Sequence, residues 1–103
     1  MKISLPQVAF ERAILSTIGN LYLLAMENAD VVSVRIEYSS SMKMMNVIIF
    51  SKNTTEHAHN IVLLDDEQAL MDLLLIEDVL IERIAQHRDE FEKQESELCN
   101  TPL

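Results

Sequence analysis

The apolar spacing along this chain changes period twice, and that change restricts the fold more than any other feature. Val8, Leu15, Ile18, Tyr22, Ala25 and Met26 recur at helical spacing, with Phe10, Ile14 and Leu21 widening the stripe. Val32, Val34, Ile36 and Tyr38 then recur at every second position with Ser33, Arg35 and Glu37 between them, which is the period of a half-buried strand. Helical spacing returns from about Asp66 and lasts to about Gln94. We therefore expect an α+β fold in the order α-β-β-(β)-α, with a small antiparallel sheet between or beneath two helices.

Local signals fix the ends of these segments. Ser4, Pro6 and Gln7 form a capping pattern that opens the first helix, which we extend to about Asn28. Gly19-Asn20 is its weak point, but the Leu, Ala and Met around that pair favour one continuous helix. Ser39, Ser40 and Ser41 supply turn chemistry, so Met44 to Phe50 is read as the returning strand of an antiparallel hairpin. This strand does not alternate: Met44, Ile48 and Phe50 are apolar on one face and Met45, Val47 and Ile49 on the other, so it needs cover on both faces. Lys52 to Asn60 reads as a polar connection and Ile61 to Leu64 as a short third strand. A second capping pattern, Asp65 to Gln68, opens the long helix and places acids where the helix dipole favours them. The domain is expected over 1–94, followed by an acidic tail over 95–103 that frays.

Composition narrows the chemistry. Gly19 is the only glycine in 103 residues, which rules out glycine-rich phosphate loops, and the single Cys99 rules out a disulfide framework or a multi-cysteine zinc module. Glu11 and Arg12 interrupt the apolar run that begins at Val8, so no secretory signal is expected and a reducing, cytoplasmic setting is the default. The longest charge-free run, Ala13 to Met26, is fourteen residues against the roughly 20 that cross a bilayer, so no membrane span is expected.

The net charge of −9 lies entirely in the last third: residues 1–64 carry five acids and five bases, whereas twelve acids face three bases from Asp65 onward. Nucleic-acid affinity comes mainly from Lys and Arg neutralising phosphates, so direct binding to nucleic acid is disfavoured. A basic protein partner is favoured, and the acidic pole would speed its association.

The long helix has two apolar sides. At about 100° per residue, Ala69, Leu73, Ile76, Leu80, Ile84 and Phe91 share one stripe, broadened by Leu70, Leu74 and Ile81, and this stripe is expected against the sheet. Met71, Leu75 and Val79 project from the other half among Asp72, Asp78, Glu82 and Gln86. Together with the two-faced strand Met44, Ile48 and Phe50, that surplus predicts a homodimer or an obligate complex, because monomers rarely expose so large an apolar patch. Glu77 falls within the core stripe without a cation three or four residues away, so it needs a distant partner such as Arg12 or Arg35, or a place at a solvent edge. Glu11 poses the same question on the first helix.

Candidate catalytic and metal-binding groups are few. His57 and His59 have the spacing of two ligands on one side of an extended segment but supply too few donors for a site by themselves. Cys99 lies near the end of the chain, the serines at 39–41 read as turn residues, and aromatic platforms are scarce. The expected function is therefore a non-catalytic protein-binding module without cofactor, acting as a dimeric adaptor or regulator, with Asp72, Asp78, Glu82, Asp89, Met71, Leu75 and Val79 facing the partner. The alternative is an inhibitor whose acids replace phosphates on a nucleic-acid-binding protein. Asp78, Glu82 and Asp89 lie near one helical line, and a four-residue step advances about 6 Å.

Overall fold

The computed structural model describes residues 5–51 and 57–99 and contains helix α1 (Leu5–Glu27), strands β1 (Val32–Ser39), β2 (Met44–Ser51) and β3 (His57–Leu63), and helix α2 (Ala69–Cys99). The strands form one antiparallel sheet in the order β1-β2-β3. The architecture is α+β in the order α-β-β-β-α, as the periodicity predicts.

Register places every core-facing side chain. Tyr38, Met45 and Val62 lie across one rung of the ladder, Ile36, Val47 and Asn60 across another, and Val34, Ile49 and Ala58 across a third. Met45, Val47, Ile49 and Val62 are buried with Ile14 and Leu21 of α1 and Ala69, Leu73, Ile76 and Leu80 of α2. Both helices therefore cover the same sheet face. Each fully buried aliphatic side chain here contributes about 1.5–3 kcal/mol. Thr17 is buried among them and donates its hydroxyl proton to the Ala13 carbonyl at 2.8 Å, which satisfies its polar atom inside the helix.

The two helices run parallel. Asn20 of α1 bonds Glu77 of α2, and Asn28, just past α1, bonds Arg88, so position advances along both helices in the same direction. The connections are tight. Val31 and Val32 donate their N–H groups to the Asn28 carbonyl, turning the chain from α1 into β1. In the β1–β2 turn, Lys43 takes a left-handed φ of 48°, and its carbonyl accepts the Leu64 N–H at 2.9 Å. Asp66 Oδ1 accepts the Gln68 N–H at 2.8 Å, an Asx turn that leads into α2.

Several expectations are corrected. The core face of α1 is Phe10, Ile14, Thr17, Ile18, Leu21 and Leu24, so the predicted stripe is rotated: Leu15 is 68% exposed and Tyr22 and Met26 also face solvent. A helix with only three charged residues, Glu11, Arg12 and Glu27, allows more than one apolar stripe to be drawn, and packing chooses between them. Leu74 and Ile81 of α2 are exposed as well rather than against the sheet. The segment read as a polar connection to Asn60 enters β3 at His57, and α2 continues beyond Gln94 to Cys99, consistent with the helix-favouring Glu95, Glu97 and Leu98 there. The Ser4 cap lies outside the described residues. By length and composition alone Pro6–Glu27 is also long and apolar enough to cross a bilayer, with mean hydropathy 1.2; unlike the charge-free run, this stretch includes Glu11, Arg12 and Glu27.

Candidate functional site

Among the described residues β2 is covered on one face only, and its other apolar row has no layer over it. Ser33, Phe50 and His57 form one rung of this open face, Arg35, Ile48 and His59 the next, then Glu37, Asn46 and Ile61, then Ser39, Met44 and Leu63. Ile61 and Leu63 are 57% and 53% exposed, Phe50 is exposed, and Met44 and Ile48 are half-buried. The sequence identified Met44, Ile48 and Phe50 as sharing a face; Ile61 and Leu63 join them through the β2–β3 register, which the spacing within one segment does not show. Arg35 and Glu37 pair on this face at 2.6 Å. At its centre Asn46 Oδ1 is shut off from solvent and has no hydrogen-bond partner among the described residues.

A second surface lies between the outer edge of β3 and the flank of α2. It is a groove of about 340 Å³ lined by His59, Ile61, Asp72, Leu75, Ile76 and Val79. Three residues predicted to face a partner thus meet here: Leu75 is 56% exposed, Val79 is exposed, and Asp72 is half-buried beside them. Met71, Asp78, Glu82 and Asp89 are exposed on the side of α2 away from the sheet, and Glu82 and Asp89 border a separate shallow hollow with Glu92. The seven predicted residues consequently divide between the groove and the outward face.

A third hollow, about 300 Å³ and almost wholly apolar, lies between α1 and the β1–β2 hairpin against Leu15, Tyr22, Tyr38, Met45 and Leu64. Sequence reasoning missed it by assigning Leu15 and Tyr22 to the core. Glu11, Lys43 and Asp65 line its adjoining polar lip, and Lys43 Nζ stands 3.6 Å from Asp65.

Glu77 bonds neither Arg12 nor Arg35. Its carboxylate accepts a hydrogen bond from Asn20 at 3.2 Å at the half-buried seam between the helices, so the solvent-edge alternative is the one realised. His57 and His59 project from β3 rather than from a loop, His57 tilted against the Phe50 ring at 5.7 Å. Among the described residues no group of three or more His, Cys, Asp or Glu side chains is arranged to hold a metal ion. The hydroxyls of Ser39 and Ser41 lie 3.4 Å apart and engage each other in the turn.

Comparison with protein-family models, curated proteins and solved structures finds no match for this chain.

Proposed function

We propose that this chain is a non-catalytic protein-binding module that associates with a second copy through its open sheet face and engages a basic protein partner along α2. The observation that supports it most is the one-sided cover of the sheet. Two helices lie on one face, while Met44, Ile48, Phe50, Ile61 and Leu63 line the other, over which no element of the described residues is laid.

Size sets how strong such a dimer can be. Three strands about 4.8 Å apart and about 23 Å long give a face on the order of 300–400 Å², smaller than the roughly 800 Å² per partner of a standard interface. The dimer is therefore expected to be reversible. Sedimentation velocity across the micromolar range tests it: a concentration-dependent rise from monomer to dimer mass is expected, and a monomer at the highest concentrations overturns the self-association.

The acids Asp78, Glu82 and Asp89, all exposed on one side of α2, favour a second reading in which they take the place of phosphates on a nucleic-acid-binding protein. A captured complex of that kind loses affinity steeply with added salt, whereas an apolar contact does not.

A further inference from the structure

We propose that the outer edge of β3 takes up an extended, lysine- or arginine-bearing segment of a partner protein as a fourth strand, seated between that edge and the Asp72, Leu75 and Val79 flank of α2. This rests on the protein-binding reading and names the partner's chemistry.

The backbone supplies the first argument. The Leu64 N–H bonds the Lys43 carbonyl, so in this antiparallel ladder the pairs 45–62, 47–60 and 49–58 are the hydrogen-bonded ones. The backbone N–H and C=O groups of His59 and Ile61 therefore point away from β2, to the free edge. A row of such groups is a template for another strand.

Charge chooses the occupant. From Asp65 to Glu82 the chain carries seven acids and no Lys or Arg, and Asp72 stands in the groove beside Leu75 and Val79. Lysine or arginine side chains from an added strand lay their apolar stems over Leu75 and Val79 while their charges reach Asp72. A second copy joined edge to edge would instead bring two acid-rich α2 flanks together, and like charges at close range oppose that pairing. The edge of β1, by contrast, has the Arg35–Glu37 pair beside it and offers no acidic wall.

The test uses the full chain and a labelled peptide of seven residues, the length of β3, alternating lysine with valine. Fluorescence anisotropy at low salt is expected to show saturable binding. N-methylation of the amides on one edge of the peptide should weaken binding on the order of tenfold or more, because it removes strand hydrogen bonds and leaves charge unchanged. A peptide with glutamate for lysine should not bind. Ile61→Pro removes an outward N–H without touching a β2–β3 bond, so it should abolish binding while the circular dichroism spectrum is retained; the N-methyl series reads the same bond in the unaltered protein should that variant not fold.

Equal binding of peptides methylated on either edge and of the unmodified peptide overturns strand addition and leaves the protein-binding reading standing. Absence of binding by the lysine peptide also overturns it. A dimer that is lost in Ile61→Pro but kept in Ile61→Lys assigns the edge to a second copy and overturns it as well.

Discussion

Arg88 of α2 grips Asp30, in the turn between α1 and β1, with two parallel hydrogen bonds: Nη1 to Oδ2 at 2.7 Å and Nη2 to Oδ1 at 3.1 Å. Nη2 also donates to Asn28 Oδ1 at 2.9 Å, and Asn28 in turn donates its side-chain N–H to the Leu24 carbonyl. One guanidinium thus fastens the end of α1, the following turn and the third quarter of α2. The hydrogen bond to Asp30 is the main reason its pKa is raised, with attraction to Asp30 and Glu92 adding to it and desolvation opposing. A base whose pKa is raised on folding contributes its full stabilisation at every pH below its ordinary range, which for a guanidinium lies far above neutrality, so this clasp is intact across the physiological range.

Arg88→Ala is expected to loosen that corner. The Val31 and Val32 amides, bonded to the Asn28 carbonyl, should exchange with solvent faster, and the thermal midpoint should fall. Arg88→Lys should restore little, because an ammonium cannot make the forked contact. Unchanged exchange at both amides would remove the clasp.

Leu73 and Leu75 are two residues apart on α2, one fully buried and one exposed. Leu73→Ala should cost about 2–4 kcal/mol of stability and Leu75→Ala less than about 0.5 kcal/mol. Chemical denaturation measures both; comparable losses would mean that the helix face is assigned wrongly.

Gly19 lies inside α1 on an exposed position, and a Cβ built there meets nothing within 4 Å. Gly19→Ala should therefore stabilise by about 0.5–1 kcal/mol, chiefly by restricting the unfolded chain. A lowered denaturation midpoint would contradict the open surroundings of that site.

Lys43 holds a left-handed backbone, which L side chains rarely adopt. Lys43→Gly should stabilise the β1–β2 turn by about 0.5–1 kcal/mol, offset slightly by loss of the exposed pair with Asp65. Destabilisation in denaturant would show that the Lys43 side chain matters more than its backbone.

Ile61→Lys and Leu63→Lys place charges on exposed positions of the open sheet face. Each should leave folding within about 0.5 kcal/mol of the parent and shift the sedimenting species toward monomer. A dimer of undiminished affinity would place the self-contact elsewhere.

How much of this was legible in the sequence differs by element. The alternation at Val32, Val34 and Ile36 and the opposite rows Met44, Ile48, Phe50 and Met45, Val47, Ile49 are backbone consequences of the two-residue strand period, so strands and faces could be read directly. The same holds for the α2 stripe of Ala69, Leu73, Ile76 and Leu80, where charged neighbours mark the boundary. On α1, with only Glu11, Arg12 and Glu27 as charges, composition left the stripe free to rotate.

What the sequence by itself determined is the order and type of the elements, the acidic last third, and the existence of more apolar surface than one stripe and one sheet face require. These follow from local periodicity and from counting. Tertiary structure alone decided that both helices share one sheet face, that Asn20 rather than an arginine meets Glu77, and that β3 stands beside Asp72, Leu75 and Val79. Those depend on which distant segments pack together, and the free energy of that choice comes from burial summed over the whole core rather than from any one stretch of chain.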